Sequence, residues 1–161
     1  MLAFMTTRQE RVPAVEGWFS LDDPPALTGS RCVRCGTYAF PPESLACRNP
    51  ACDSGDFEQV PLSRRGRIWS YTDARYPPPP PFPASEPYEP FAIAAVELAK
   101  EKMVVMGQVA SGFSVADLWV GQEVELVVET LHREGTTDYV VWKWLPLSSG
   151  APGSVTSGAR Q

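Results

Sequence analysis

Cys32, Cys35, Cys47 and Cys52 are the only four cysteines in the chain, set as a C-x2-C pair and a C-x4-C pair with eleven residues between them. Each short spacing suits a chelating knuckle. The intervening loop lets the second knuckle fold back on the first and complete one tetrahedral site of soft thiolate ligands. Gly36 follows Cys35 directly, where a tight turn calls for positive φ and amides directed at sulfur. The same four residues also permit rubredoxin-like iron, or two disulfides in any of three connectivities. Disulfides want a secretory context, and the opening residues MLAFMTTRQERVP lack the long apolar stretch of a signal sequence. The spacing is therefore read as one structural Zn2+ held by Cys32, Cys35, Cys47 and Cys52. Four thiolates leave that metal no open position, so no catalytic role is expected of it.

Other residue types offer less chemistry. His132 is the single histidine and is read as an exposed turn residue beside Arg133 and Glu134. No serine sits in a nucleophile elbow, no glycine-rich loop cradles phosphate, and Asp22 and Asp23 have no basic partner nearby in the sequence. No catalytic residue, and no activity of the chain alone, is expected. Arg64, Arg65 and Arg67 form a basic cluster just after the cysteine region, followed by the aromatics Trp69 and Tyr71. That mixture serves single-strand nucleic-acid binders and phosphate-bearing cofactors. The plainer reading is a solvated charge run or pairing with nearby acids. With 14 basic against 19 acidic residues and a formal charge of -5, broad phosphate-driven binding is disfavoured.

The elements that must position these residues read as mainly β. Residues 6–20, TTRQERVPAVEGWFS, are read as a short helix or two helical fragments around Pro13, with Trp18 and Phe19 docking into a groove of this chain or of a partner. Tyr38, Phe40, Pro41 and Pro42 supply apolar mass beside the metal, and residues 57–60 close that module as a strand ended by Pro61. From Gly66 the pattern is strand-like. Strands are expected at 66–76, 91–98, 102–110, 123–131 and 138–145, with Trp69 and Tyr71 on one face of the first and Ile68, Ser70 and Thr72 on the other. Trp142 and Trp144 share a face of the last strand, opposite Val141 and Lys143. Ser114 is placed to cap a short helical turn that Gly121 ends. Five strands with that link after the third point to a closed barrel of OB type, a β-sandwich being the competing topology.

Between the first two strands, residues 77–90 hold eight prolines in fourteen positions. This stretch cannot join a sheet, and it is read as a stiff loop that either wraps its own barrel or carries Phe82 and Tyr88 as a docking arm. The domain plan is an N-terminal helical segment over 1–28, a zinc ribbon over 29–62, an OB barrel over 63–147 and a disordered tail over 148–161. A soluble cytoplasmic chain is expected, with no stretch near the roughly 18 apolar residues of a membrane span.

Taken in order, the motifs CVRCGTYAFPP, C-x4-C, GRIWSYT, PYEPFAIAAVEL, MGQV and WVGQEVEL resemble the zinc-ribbon/OB-fold family long called domain of unknown function 35. The resemblance runs from about Trp18 to Leu145. It implies an N-terminal helical segment, a rubredoxin-like zinc ribbon with the four cysteines as ligands, and an OB barrel in which Gly66, Ser70, Tyr71, Thr72, Pro87, Tyr88, Val96, Gly107 and Gly121 follow the family pattern. It also implies a function: a non-catalytic accessory subunit of a thiolase-like acyl-CoA enzyme (thiolase, acyltransferase or steroid side-chain retro-aldolase), or an appendage of a MaoC-like hydratase. The partner would carry the catalytic groups in a hetero-oligomer, and Arg64, Arg65 and Arg67 would be the candidates for contact with CoA phosphates. A single-stranded nucleic-acid-binding module is the alternative. The x4 spacing of the second knuckle and the proline run depart from the family pattern.

Overall fold

The computed structural model describes residues 9–147. The expected tail at 148–161 and the first residues of the N-terminal segment lie outside that range. Among the described residues there is no α-helix, and strands make up two sheets.

The smaller sheet holds the cysteine module. Strand β2 (Thr28–Cys32) lies between β3 (Tyr38–Ala39) and β4 (Phe57–Pro61), antiparallel to both. The larger sheet contains β5 (Arg65–Ala74), β6 (Phe91–Leu98), β7 (Met103–Val109), β8 (Glu123–Glu134) and β9 (Thr137–Pro146). Sequential antiparallel pairing joins β5, β6 and β7. β7 then runs parallel to β9, and β8 pairs with both β9 and β5, which closes a five-stranded barrel. A parallel third-to-fifth pairing with the fourth strand returning to the first is OB topology, and it rules out the β-sandwich. A single 3-10 turn, Val115–Asp117, links β7 to β8 and is capped by Ser114, whose amide donates to Asp117 Oδ2 at 2.8 Å while Ala116 N donates to Ser114 Oγ at 3.3 Å.

Among the described residues the expected N-terminal helical segment is not found. Glu10–Pro13 forms strand β1, parallel to the first half of β9, with Val12 opposite Tyr139 and Pro13 opposite Val140. The reason is an open edge: β7 pairs only with Gln108 and Val109 against Lys143 and Trp144, so the start of β9 has unpaired backbone groups to offer. A weak helix former interrupted by Pro13 gains more by adding an edge strand, where a proline is tolerated.

The remaining correction to the strand pattern is local. A bulge lies between Ile68 and Ser70 of β5. It buries Ile68, turns both Trp69 and Ser70 outward, and leaves Tyr71 half-buried against the core, so Trp69 and Tyr71 do not share a face.

One hydrophobic core spans both sheets. Phe19, Leu27 and Leu62 from the cysteine module and its lead-in join Ile68, Val96, Leu98, Val124, Leu126, Val140 and Trp144 of the barrel. At the joint, Trp18 packs on Phe40 and Trp142 with ring centroids 5.5 and 6.0 Å apart, and Phe19 and Phe40 meet Trp142 edge-on at 5.7 and 5.9 Å. An N-terminal segment, the ribbon and the barrel thus meet on one indole. Such edge-on pairs add to the burial they bring. Trp18 and Phe19 are therefore engaged within the chain itself.

Candidate metal centre and its surroundings

β2 ends on its first thiol. Cys32 pairs with Phe57 across the β2–β4 ladder, and its amide donates to Thr37 O at 2.9 Å while Gly36 N donates back to Cys32 O at 2.9 Å. That reversal is the first knuckle. Gly36 sits at φ +74, a backbone state that L side chains rarely adopt, which is why glycine follows Cys35.

The second knuckle explains its own longer spacing. Cys52 N donates to Asn49 O at 2.9 Å, and Ala51 N donates to the Asn49 side-chain oxygen at 3.0 Å. Asn49-Pro50-Ala51-Cys52 is thus a β-turn with asparagine first and proline second, reinforced by an Asx contact. The additional residues fold into this turn, and Cys47 and Cys52 still converge.

All four sulfurs lie within 4.8 Å of one another, with Cys32 and Cys52 at 3.9 Å and Cys35 and Cys47 at 3.5 Å. Tetrahedral ligation at a Zn–S distance of about 2.3 Å needs sulfurs about 3.8 Å apart. The cluster fits such an ion. Its titration points the same way. Hydrogen bonding from Thr37, side chain first and then backbone, draws the Cys35 thiol down to about 6. At Cys47 the Asn49 amide favours the thiolate, but burial and the neighbouring Cys35 and Cys32 outweigh it and push the thiol up to about 12. Four sulfurs this close do not all ionise unless a cation sits among them.

The three arginines are also placed. Arg65 and Arg67 stand in register with Glu125 and Glu123 across β5 and β8, at 3.5 and 3.1 Å. Arg64 is clamped: Nε donates to Pro25 O at 2.8 Å, a terminal nitrogen to Leu126 O at 3.3 Å, and the guanidinium pairs with Glu125 at 3.3 Å. Beside them Arg65, Gly66, Arg67, Glu97, Ala99 and Glu123 line a depression of about 200 Å3. Its guanidinium and carboxylate groups balance.

His132 is not a turn residue. The hairpin reverses at Gly135 and Thr136, so His132 lies within β8, half-buried and stacked on Tyr139 with centroids 4.6 Å apart. The proline loop lies on its own barrel. Tyr88 donates its hydroxyl to Ala74 O at 2.5 Å, and Phe82 stacks on Phe91 at 5.6 Å.

Two networks gave no sequence signal because they join distant stretches. Buried Glu101, in the β6–β7 turn, accepts the amide and hydroxyl of Ser63 at 2.8 and 2.9 Å and fixes the link between ribbon and barrel. Lys143 is buried against Glu129 at 3.0 Å, where Ser111 also donates. Within the strand expected at 102–110, the alternation of Met103 and Val105 against Val104 and Met106 marks the outward row that leaves Val104 and Met106 exposed.

No described helix is long and apolar enough to cross a membrane. The family profile described as ChsH2, rubredoxin-like zinc ribbon domain, matches residues 21–58, and that of the ChsH2 C-terminal OB-fold domain matches residues 59–129. A DUF35 domain-containing scaffold protein of Methanothermobacter thermautotrophicus is 31% identical over 75% of this chain and 85% of its own length. The benzoylsuccinyl-CoA thiolase subunit BbsA of Thauera aromatica is 49% identical over a shorter stretch, 30% of this chain and 32% of that protein. Among solved structures, the Ltp2-ChsH2(DUF35) aldolase superposes with a TM-score of 0.57 at 26% identity, covering 75% of this chain and 84% of the matched one. The cysteine ribbon, the OB barrel and these matches together show that the chain belongs to the DUF35/ChsH2 family of zinc-ribbon and OB-fold proteins, a family associated with subunits of thiolase-like acyl-CoA enzymes.

Proposed function

We propose that the chain is a non-catalytic accessory subunit of a thiolase-like acyl-CoA-processing complex, which stabilises a large catalytic subunit and shapes its entrance for CoA and substrate. The observation that carries this reading is the kinship with a benzoylsuccinyl-CoA thiolase subunit. The architecture shared with the Ltp2-ChsH2(DUF35) aldolase supports it.

In this reading Cys32, Cys35, Cys47 and Cys52 hold one structural Zn2+, which fixes the ribbon and leaves chemistry to the partner. A cytoplasmic setting suits thiols kept reduced for metal. Contact with a CoA phosphate falls first to Arg65 and Arg67, whose side chains are mostly exposed and would exchange a carboxylate for it. Arg64 already has its donors engaged by Pro25, Leu126 and Glu125. The nucleic-acid alternative gains nothing from these pairings, since each guanidinium meets an acid of the same barrel.

The test is tandem affinity purification of the full chain from its native cells, with identification of stoichiometric partners and elemental analysis. The expected result is an acyl-CoA enzyme subunit and about one zinc per chain. Recovery of single-stranded nucleic acid in a salt-sensitive complex, with no acyl-CoA enzyme, overturns the reading.

A further inference from the structure

The outer face of β5, β6 and β7 displays apolar groups that neither the metal cluster nor the aromatic joint uses. Trp69 and Met106 are each 63% exposed and Val104 is 44% exposed. They are neighbours by register: Met106 stands opposite Ala95, Val104 opposite Glu97, and Ser70, next to Trp69, opposite Ala95 from the other side. Ala95 ends in a methyl group, so the strip dips between Trp69 and Met106. Trp69 is turned outward by the bulge at Ile68/Ser70, a device that re-aims a side chain where a regular strand would not. Tryptophan is the side chain that most often anchors a protein interface, and methionine adapts to the partner that covers it.

The charge on this strip decides what covers it. Glu97 is exposed and makes no ion pair among the described residues; Arg67, directly opposite, turns instead to Glu123 at 3.1 Å. The cations Lys100 and Lys102 lie beyond the strip, at the β6–β7 turn. A nucleic acid stacking on Trp69 would bring phosphate to Glu97, while the adjoining cation, Arg67, is already paired with Glu123. A second copy joined through this face would offer Glu97 only an Arg67 already paired with its own Glu123. An apolar protein surface edged by lysine or arginine meets both requirements.

We propose that the strip formed by Trp69, Ala95, Val104 and Met106, with Glu97 at its edge, is the surface that docks the acyl-CoA enzyme subunit, and that this subunit presents an apolar cluster flanked by a basic residue that pairs with Glu97. This rests on the accessory-subunit reading above. It moves the contact away from the proline loop and from Trp18 and Phe19, all of which pack within the chain.

The experiment purifies tagged full-length chains from native cells and measures acyl-CoA enzyme recovered per chain. Trp69→Glu, Met106→Glu and Glu97→Lys are compared with wild type and with Leu45→Glu, which alters an exposed leucine on the ribbon. The expected result is a loss of at least about tenfold in each strip variant, with recovery by Leu45→Glu near wild type and thermal midpoints unchanged throughout. Undiminished recovery by the strip variants, or an equal loss in Leu45→Glu, overturns the docking inference and leaves the accessory reading in place. Wild-type chain that recovers no acyl-CoA enzyme overturns that reading and this inference with it. Hydroxyl-radical footprinting of the wild-type complex needs no variant. Protection of Trp69 and Met106 relative to the free chain is expected, and equal oxidation in both states overturns the proposal.

Discussion

Gly107 lies beneath two indoles. A methyl group built on it would come within 2.8 Å of Trp142 Nε1 and 2.9 Å of Trp144 Nε1, closer than side-chain carbons approach such atoms. Trp142 is held from above by Trp18, Phe19 and Phe40 and donates to Met106 O at 3.3 Å, so it has little room to retreat. Gly107→Ala should therefore destabilise the chain by about 1–3 kcal/mol, the usual cost of overpacking a filled core. Urea unfolding checks this, and an unchanged midpoint would show that the indoles can shift freely. The resemblance placed Gly107 in a pattern; the packing supplies its reason.

The β8–β9 hairpin carries a different load, because β9 serves three neighbours at once: β8 along its whole length, β1 at its start and β7 near its end. Asp138, opposite both Arg133 and Arg11, is one of its two buried charges, the other being Lys143. Its carboxylate accepts from Arg133 Nε at 2.5 Å and from a terminal nitrogen at 3.2 Å. Arg133 accordingly holds the Asp138 carboxyl below its ordinary value, against the opposing effect of burial. A carboxyl with a lowered folded-state pKa contributes stability that is present above its unfolded value, near 3.9, and is lost as pH falls through the folded value. Asp138→Asn should remove that part of the acid dependence, flattening the stability profile below about pH 4 relative to wild type. Thermal melts across pH 2–6 test it, and parallel wild-type and variant profiles would count against it.

Legibility in the sequence followed the same division between local and distant causes. β6 at Phe91–Leu98 was readable because an apolar run is bounded by Pro90 and by Lys100. The metal cluster was readable because spacing alone brings cysteines together. β1 was not, since its partner lies more than a hundred residues away and only the folded barrel leaves that edge open. Nor was the face of Trp69, because one bulged residue reverses every alternation after it. β8 runs on past the expected end at 131 to Glu134, enough to turn an exposed loop histidine, His132, into a stacked strand residue.

At the scale of the whole molecule, ribbon and barrel share one core rather than touching across a linker. Leu27 and Leu62 of the ribbon region belong to the same buried cluster as the barrel interior, and Glu101 binds Ser63 at the connection. A ribbon this small has little core of its own once its metal is gone. Chelation should therefore lower the melting temperature of the whole chain, by roughly 5–10 °C for a loss of a few kcal/mol, within a single transition. Calorimetry with and without a strong chelator distinguishes this from independent modules, which would give a barrel transition at unchanged temperature.

The arrangement of the five tryptophans gives the molecule two separate optical signals. Trp18 and Trp142 stand 6.0 Å apart in the ribbon–barrel joint, close enough for their excited states to couple, and their ultraviolet dichroism reports how the ribbon is seated. Trp69 looks into solvent from the opposite kind of environment, so its emission lies to the red and shifts to the blue when a surface covers it. Seating of the ribbon and capture of a partner can thus be followed in one cuvette, without a label.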